Sequence, residues 1–303
     1  MSYLHIPLRY MQLSEKVRAS VVLMRLPYIL ALDFLCLLLI VTFQKGFYNL
    51  RLVGLAVLTV ALITAGGAAI NDYFDSESDA LTHPERPIPS KRITPARALS
   101  FSVLALLAGL AISFAINPVA FGIVAVDVVL FILYPPVLKR LSGFLSNLVM
   151  GYLGATIALF AGAVVFQTIN ADSLSFVGLI AGGAIGLNAL KDILTLDGDL
   201  KIGYPTLAAK RGVREAAIVG ALFLLLSAIT SPAPFIVGVV GVAYLFPIVV
   251  WAGVVGVTAL PLLRAPNSEN VRGRLRTFTM CFPYVVGIVG VAYVLPFVIW
   301  GAS

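Results

Sequence analysis

Long apolar stretches follow one another along almost the whole chain, separated by polar segments that carry most of the charge. Most stretches are about 17–25 residues long, the length that an α-helix needs to cross a hydrocarbon core of roughly 30 Å. The pattern predicts an all-α membrane protein: one polytopic domain over residues 1–303, built as a bundle of nine transmembrane helices. The predicted spans are 26–43, 52–70, 98–116, 119–134, 144–166, 174–190, 215–231, 234–262 and 277–300. The stretch 234–262 is long, so we expect it to tilt, to kink near Pro247 or to extend past the bilayer.

Lysine and arginine are distributed unevenly between the two sides that these spans define. Nineteen of the 21 basic residues fall on the side of the N-terminal segment, and only Lys45 and Arg51 fall opposite. Because basic residues accumulate in cytoplasmic loops, we expect the N-terminus in the cytoplasm and the C-terminus outside the cell membrane. The two longest loops, 71–97 and 191–214, are then both cytoplasmic and are the expected catalytic loops.

The composition fits this architecture and limits the chemistry. Charged residues make up 12% of the chain, hydrophobic residues make up 60%, and the mean hydropathy is +1.02. The net charge of +7 follows from the membrane orientation, so no nucleic-acid partner is needed to explain it. With only His5 and His83, there is almost no room for histidine-based metal or triad chemistry. Cys36 and Cys281 lie inside apolar stretches and are predicted to be buried thiols.

The densest group of acids directly follows the second apolar stretch, in the sequence "AAINDYFDSESDALTHPERPIPSKR". Asp72, Asp75 and Asp79 stand at i, i+3 and i+7, so a helix that continues past the apolar stretch places them within about 60° on one face. Asn71 shares that side. Clustered carboxylates beside hydrocarbon repel one another and lose hydration, and a Mg²⁺ ion removes both penalties. Because Mg²⁺ completes its shell with phosphate oxygens, the expected ligand is a phosphate or diphosphate.

A second group of acids lies in "NALKDILTLDGDLKIGYPTLAAKR", after the sixth predicted span. Asp192 and Asp199 are at i and i+7, and Asn188 lies one turn before Asp192. Asp197 lies about 140° from Asp192 on an unbroken helix, so it joins the group only if Gly198 breaks the helix. We expect this break, which would turn both Asp197 and Asp199 towards the diphosphate.

Other charged residues are assigned by their position relative to these groups. Glu77 and Glu85 are interpreted as ordinary solvated loop residues. Asp33 and Asp127 lie deep inside predicted spans, either facing a polar cavity or protonated and bonded to a neighbouring helix. Basic residues near the acids would neutralise a diphosphate that metal does not cover. They are Arg86, Lys91, Arg92, Lys139, Arg140, Lys191 and Lys201.

The motifs together resemble the UbiA superfamily of intramembrane prenyltransferases over nearly the full chain. The stretch "NDYFDSESD" followed by "HPERPIPS" fits that family's NDxxDxxxD signature and its trailing RP-I/L-PS element. "YPPVLKR", residues 134–140, resembles the family's cytoplasmic tyrosine-to-lysine motif, and "KDILTLDGDLKIGYPTL" resembles its second aspartate motif. Leu194 and Thr195 replace an acidic pair of that second motif, which leaves open which of its aspartates bind metal.

The resemblance implies an enzyme in which a polyprenyl diphosphate lies with its head between two Mg²⁺-binding clusters and its tail along apolar helices open to membrane lipid. The metal ligands would be Asp72, Asp75, Asp79, Asp197 and Asp199, for two ions in all. Asp72 and Asp75 would act in catalysis through the metal, Arg25 by holding an acceptor carboxylate, and Asp192 by orienting an acceptor hydroxyl. The substrate-binding residues would be Asn71, Arg86, Lys91, Arg92, Tyr134, Lys139, Arg140, Asn188, Lys191 and Lys201.

The acceptor is less constrained than the prenyl donor. The expected acceptor is aromatic, such as 4-hydroxybenzoate, which would place the protein in ubiquinone or other quinone biosynthesis. The alternative within the family is a glyceryl phosphate, as used by digeranylgeranylglyceryl phosphate synthases of ether-lipid biosynthesis. A secondary transporter is the alternative from another class, although transporters usually place their acids near the membrane midplane.

Overall fold

A computed structural model describes residues 8–46 and 49–265, together with Gly273 and Leu275. The described residues are helical and contain no strand. Eight of the helical segments are long and apolar enough to cross a membrane. Four of these segments are single helices: Leu26–Gln44 (α2), Leu50–Phe74 (α3), Pro95–Ile116 (α5) and Gly143–Phe166 (α8). Three segments each contain two α-helices: Pro118–Leu141 contains α6 (Pro118–Leu133) and α7 (Lys139–Leu141), Ala171–Ile202 contains α9 (Ala171–Ser175) and α10 (Val177–Ile202), and Leu207–Ile236 contains α11 (Leu207–Thr230) and α12 (Ala233–Ile236). The last segment, Val242–Arg264, contains α13 (Leu245–Arg264). Helix α1, Leu8–Leu23, precedes them, and the short α4, Ser76–Thr82, follows α3.

These helices correspond in order to the first eight predicted spans. The ninth predicted span, 277–300, and the position of the C-terminus lie outside the described residues, as does Cys281. Cys36 is buried, as its place in an apolar stretch predicts.

The prediction of one long span over 234–262 is wrong. The chain breaks between α12 and α13, where Gly238 adopts a φ of +84° that favours glycine, and only Leu245–Arg264 forms the long helix. Pro247 lies in the first turn of α13, where its missing N–H leaves no helical carbonyl unpaired, so it causes no kink there. The hydropathy of the stretch is continuous across the break, which explains why an apolar pattern cannot locate it.

Local capping fixes where three of the spanning helices begin. The side chain of Asn49 accepts a hydrogen bond from Leu52 N at 3.1 Å at the start of α3. Thr94 caps α5 before Pro95, and Asn117 caps α6 by accepting from Ala120 N at 2.8 Å. The Asn117 amide also donates to the Ala163 carbonyl of α8 at 2.9 Å, so it links two spans as well as capping one.

Helices α10 and α11 approach each other closely because α10 presents glycines to its neighbour. A Cβ atom on Gly182 would lie 2.9 Å from the Phe223 carbonyl oxygen, and one on Gly186 would lie 2.9 Å from the Gly220 carbonyl oxygen. In a membrane, helix association depends on such close packing, because lipid is as apolar as the side chains. This contact supports the end of α10, which carries the second acidic motif.

The polar loops meet at one end of the bundle. Tyr204, after α10, lies 2.6 Å from Asp75, after α3, and Arg25, before α2, lies 2.7 Å from Asp72. The segment before α2, the end of α3 and the turn after α10 therefore lie together. Their placement in the cytoplasm remains a prediction from the distribution of lysine and arginine.

The close contact between α10 and α11 leads to a prediction about thermal stability. We expect Gly186→Ala to lower the thermal unfolding temperature of the purified protein, because the added methyl group overlaps backbone of α11 and overpacking costs about 1–3 kcal/mol. Gly253→Ala in α13 is the matched control, since a Cβ there meets nothing within 4 Å and alanine favours the helix. Equal unfolding temperatures for the two variants would show that the α10–α11 contact is not tight.

Candidate functional site

The first acidic motif lies where α3 passes into α4. Asp72, Asp75 and Asp79 are all buried, with 5%, 4% and 5% of their surfaces exposed. The helix is interrupted at Asp75, which differs from the predicted continuous helix. The interruption is small, because Asp75 N still bonds Asn71 O at 2.9 Å and Asp79 N bonds Asp75 O at 2.8 Å. The three carboxylates therefore enter one interior region, as their spacing predicts.

Each of these carboxylates has a cation from a different part of the chain. Arg25 donates to Asp72 Oδ1 at 2.7 Å, and Lys139 donates to Asp75 Oδ2 at 2.6 Å. Arg86 donates to Asp79 Oδ2 at 2.6 Å, and its guanidinium also lies 3.9 Å from Asp72. A buried carboxylate without a partner is costly, so these pairs stabilise the position of the acids. Burial raises the pKa of Asp79, the Arg86 hydrogen bond and charge lower it in part, and the negative charges of Asp75 and Asp72 raise it further.

Asp75 also binds Tyr204, a residue that the sequence analysis missed. The Tyr204 hydroxyl donates to Asp75 Oδ1 at 2.6 Å, and the Lys139 ammonium lies 4.3 Å from the centre of its ring. Burial and the bond to Asp75 raise the pKa of Tyr204 to about 12, so the phenol stays protonated and remains a donor. Its signal in the sequence is the "GYP" after α10, where Gly203, at a φ of +72°, ends the helix and turns the chain back.

The second acidic motif lies on the last turns of α10. The helix continues through Gly198 to Ile202, so the predicted break at Gly198 is wrong and the chain turns at Gly203 instead. Asp192 and Asp199 consequently stay on one face, and Asp197 is exposed on another. A glycine inside a helix costs only about 1 kcal/mol, which the packing of α10 overrides.

The two acids of this face are held by different donors. Asp192 Oδ2 accepts from Leu207 N at 3.1 Å and from the Asn147 amide at 3.3 Å. Asp199 Oδ2 accepts from Thr195 at 2.7 Å and from Thr206 at 3.1 Å. Thr195 therefore donates to Asp199, and it stands where the family's second motif carries an acidic residue.

Positive charges lie near both acidic motifs. The charges of Lys139 and Lys191 both act on Asp199, and Arg25, Arg86 and Lys139 act on Lys191. The charges of Asp75, Asp192 and Arg25 all act on Tyr134, and the Tyr134 hydroxyl lies 2.8 Å from Ser146 Oγ. Lys139 is thus close to acids of both motifs, whereas Arg86 pairs with the first motif and the exposed Lys191 acts on the second.

Other predicted substrate residues are placed differently. Lys91, Arg140 and Lys201 are exposed, and the Asn188 amide donates to the Ala184 carbonyl of its own helix at 3.0 Å. Arg92 donates to Ser90 Oγ at 2.8 Å and to the Glu85 carbonyl, away from the buried carboxylates. Asn71 is at the site, because its amide donates to Asp75 Oδ2 at 2.9 Å.

The intramembrane acid Asp127 is buried and lies near Thr156 of α8, whose hydroxyl donates to the Leu153 carbonyl at 2.9 Å. Its Oδ1 has no hydrogen-bond partner among the described residues, and neither does Asp33 Oδ1. The two alternatives expected for these acids, a polar cavity or a bond to a neighbouring helix, stay predictions. Neither acid is joined to the two motifs.

The acids fit Mg²⁺ by their chemistry. Among the described residues, no three acidic, histidine or cysteine side chains lie close enough to form a ready metal cage. Mg²⁺ needs no such cage, because it is usually held by one or two carboxylates together with waters and substrate phosphates. The separated, carboxylate-only donor set is therefore suited to ions that arrive with a phosphorylated substrate.

Comparison with known proteins finds relatives among lipid synthases. A digeranylgeranylglyceryl phosphate synthase of Methanosarcina mazei is 39% identical over 194 residues, which are 64% of this chain and 66% of that protein. A solved structure of a digeranylgeranylglyceryl phosphate synthase in membranes has a TM-score of 0.76 at 25% identity and covers 95% of this chain and 99% of that one. A UbiA homologue from Archaeoglobus fulgidus bound to GPP and Mg²⁺ has the same fold, with a TM-score of 0.67 at 16% identity over 91% of this chain and 99% of that one.

These relatives correct the expected acceptor. The sequence analysis favoured an aromatic acceptor and quinone biosynthesis, whereas the similar proteins carry the name of the ether-lipid alternative. The aromatic assignment is therefore wrong. The role expected of Arg25, to hold an acceptor carboxylate, followed from that assignment, and the structure shows Arg25 paired with Asp72.

The family itself is shown by the extent of the match. Residues 32–282 match the UbiA prenyltransferase family, which is most of the chain and includes both acidic motifs. The eight apolar helices agree with an integral membrane protein. Because the family consists of prenyltransferases, membership shows that the protein is an enzyme and excludes the alternative of a secondary transporter. The chain belongs to the UbiA prenyltransferase family.

Proposed function

We propose that this protein transfers a polyprenyl group from a polyprenyl diphosphate to a glyceryl phosphate ether lipid, with release of diphosphate. The observation that carries the proposal is the group of three buried carboxylates, each paired with its own cation at one end of an apolar bundle. The acceptor class is supported by the synthase from Methanosarcina mazei and by the other relatives of the same name. The prenyl chain would lie along the apolar helices.

The cations of the site are suited to the diphosphate. Arg25, Arg86 and Lys139 now neutralise carboxylates, and Lys191 lies within reach of their charges. When metal ions bind the carboxylates, these side chains are released to donate to phosphate oxygens, for which charged hydrogen bonds are the strongest. Their long side chains allow this exchange without movement of the helices.

The acids divide between the two motifs as metal ligands. One or two of Asp72, Asp75 and Asp79, together with waters and phosphate oxygens, would hold one Mg²⁺ ion, and Asp199 would contribute to a second from the opposite side of the head group. Bound Mg²⁺ supplies charge to the departing diphosphate, where negative charge develops as the allylic carbon–oxygen bond breaks. Asp197 is left out of this set because its helical position faces away from Asp192 and Asp199.

Asp192 is suited to the acceptor hydroxyl. Its Oδ2 is fixed by Leu207 N and the Asn147 amide, and its Oδ1 makes no hydrogen bond with the described residues. The free Oδ1 would accept the hydroxyl proton as the acceptor oxygen attacks the allylic carbon. The apolar helices around the site exclude water, which would otherwise capture the carbocation.

The first test uses purified full-length protein with geranylgeranyl diphosphate and Mg²⁺. We expect diphosphate release and a prenylated lipid with geranylgeranylglyceryl phosphate as acceptor, and no product with 4-hydroxybenzoate. Removing Mg²⁺ with EDTA should abolish turnover, because the buried acids then keep the cations that the diphosphate needs. A product from 4-hydroxybenzoate alone would refute the proposed acceptor.

The positions of Asp197 and Asp199 on different faces of α10 allow a second test. We expect Asp199→Asn to raise the Mg²⁺ concentration for half-maximal rate about ten-fold or more, because a neutral amide is a much weaker ligand for Mg²⁺. Asp197→Asn is the matched control in the same two helical turns and should leave the Mg²⁺ dependence unchanged. An effect of Asp197→Asn as large as that of Asp199→Asn would mean that α10 unwinds at Gly198 in the working enzyme.

A third test concerns Tyr204. Tyr204→Phe keeps the ring beneath Lys139 but removes the donor to Asp75, and loss of a hydrogen bond to a charged group costs about 1.5–3 kcal/mol. We expect a rate at least ten-fold lower, with a pH profile of unchanged shape between pH 7 and 10, because a phenol with a pKa of about 12 does not titrate there. Disappearance of an alkaline limb in Tyr204→Phe would instead show that Tyr204 ionises during turnover.

A further inference from the structure

One short turn donates hydrogen bonds to acids of both motifs. It runs from the end of α10 to the first residue of α11, residues 203–207, and is termed the 203–207 turn. Three of its residues each donate to a different carboxylate: Tyr204 to Asp75 at 2.6 Å, Thr206 to Asp199 at 3.1 Å, and Leu207 N to Asp192 at 3.1 Å. The turn is therefore bonded both to acids proposed for metal and to the acid proposed for the acceptor hydroxyl.

The turn is stiff, so its donors cannot move independently. Tyr204 N bonds Asp199 O at 2.9 Å, which closes the end of α10. Pro205 fixes its own φ and restricts the residue before it. The Leu207 side chain is only 6% exposed and belongs to the same buried core as Ile193 of α10. The position of the Leu207 N–H is thus set by the packing against α10 and by the backbone of the turn.

Helix α8 contacts the turn at Gly143. A Cβ atom on Gly143 would lie 2.3 Å from Leu207 N and 2.7 Å from the Pro205 carbonyl oxygen, so only glycine lets the two backbones approach this closely. One helical turn further along α8, the buried Asn147 donates to Asp192 Oδ2 at 3.3 Å, the same oxygen that Leu207 N contacts. Both donors to Asp192 therefore depend on the position of α8.

We propose that the Leu207 N–H is a positioning group for prenyl transfer: through it, the 203–207 turn sets the orientation of Asp192 relative to the acids proposed for metal. The inference rests on the proposed function. In that reaction the acceptor oxygen bonds to the allylic carbon, the bond from that carbon to the diphosphate oxygen breaks with its electron pair on the diphosphate, and the acceptor proton moves to Asp192 Oδ1. With Oδ2 occupied by Leu207 N and Asn147, Oδ1 is the oxygen directed to the acceptor.

The orientation of Asp192 decides between transfer and loss of the donor. When a reacting group is misplaced by about 1 Å, the rate of its step falls steeply. Release of diphosphate depends on metal and cations and continues, so water takes the place of the acceptor. The water oxygen bonds to the allylic carbon and gives up a proton to solvent, which yields a prenyl alcohol. The ratio of prenyl alcohol to prenylated lipid therefore measures how well Asp192 is placed.

The test compares two substitutions at Leu207 that differ in the N–H. Leu207 is the first residue of α11, where proline fits a helix, and Thr206 already has the extended conformation that must precede proline (φ −59°, ψ 162°). Leu207→Pro and Leu207→Ala both lose the leucine side chain, but only proline removes the N–H and puts a ring carbon in its place. We expect Leu207→Pro to form prenylated lipid about ten-fold more slowly than Leu207→Ala, with an alcohol-to-lipid ratio about ten-fold higher.

The donor side of the reaction is the internal control for this comparison. The KM for geranylgeranyl diphosphate and the Mg²⁺ dependence should be equal in Leu207→Pro and Leu207→Ala, because Asp192 is proposed to act on the acceptor alone. Equal rates of lipid formation and equal ratios in the two variants would overturn the inference.

A double-mutant cycle shows whether the N–H acts through Asp192. In an Asp192→Ala background the carboxylate is gone, so we expect Leu207→Pro and Leu207→Ala to form prenylated lipid at the same rate. A ten-fold difference that persists in this background would show that proline acts on the fold, and the positioning role would be refuted.

A second variant keeps the N–H but displaces it. Gly143→Ala puts a Cβ atom against Leu207 N and should raise the alcohol-to-lipid ratio about ten-fold. Gly122→Ala in α6 is the matched control, because a Cβ there meets nothing within 4 Å, and it should leave the ratio unchanged. A ratio in Gly143→Ala equal to that in Gly122→Ala would contradict the positioning role, whether or not Leu207→Pro folds.

Amide hydrogen exchange separates this inference from the proposed function. The N–H of a first helical residue has no partner within its helix and exchanges quickly unless another group accepts it. In the substrate-free, full-length protein we expect the Leu207 amide to exchange at least ten-fold more slowly in the wild type than in Asp192→Ala. Equal exchange in the two proteins would overturn the inference. A slow Leu207 amide in a wild type that forms no prenylated lipid would refute the proposed function, while the placement of Asp192 by Leu207 would stand.

Discussion

The neutralisation of three buried carboxylates is the constraint on which the active end of this protein depends. Asp72, Asp75 and Asp79 lie at the boundary of an apolar bundle, where an unpaired charge is costly. Each is neutralised by a cation from elsewhere in the chain, so the segment before α2, the first loop and the turn after α6 are all drawn to the end of α3. Breaking one such pair leaves a buried charge without compensation, which gives the loop arrangement its specificity.

Under the proposed function, this arrangement would couple metal and diphosphate binding. The carboxylates would hold Mg²⁺, and their present cations Arg25, Arg86 and Lys139 would become free to donate to phosphate oxygens. Each event would favour the other, because neither would leave an uncompensated charge. Tyr204 is neutral and bonds Asp75, so it would preserve the orientation of that carboxylate, and it links the two acidic loops.

Length and spacing predicted the parts of the structure that depend on short-range geometry. Apolar length located eight spans, and the i, i+3, i+7 spacing brought the first three aspartates together despite the interruption at Asp75. Tertiary contacts decided the rest. Gly198 stays helical although glycine permits a break, and Gly238 turns the chain inside an uninterrupted apolar stretch. The acceptor could not be deduced, because the motifs in the sequence concern the prenyl diphosphate and its metal and leave the acceptor open.

The unbroken end of α10 limits the roles that Asp192 and Asp199 of the second motif can take. With Asp192 and Asp199 two turns apart on one face, about 10 Å along the helix axis, the two acids cannot hold one small ion together. Their donors agree with this separation. Asp199 is bound by two hydroxyls that can rotate away, which suits a ligand that exchanges partners, whereas Asp192 is bound by a backbone N–H and an amide that stay fixed. A metal ligand needs donors that can rotate away, whereas a carboxylate that orients a hydroxyl needs donors that hold it in place. Under the proposed function, the single helix would therefore place a metal ligand, Asp199, near the loop and an acceptor-directed carboxylate, Asp192, deeper in the bundle.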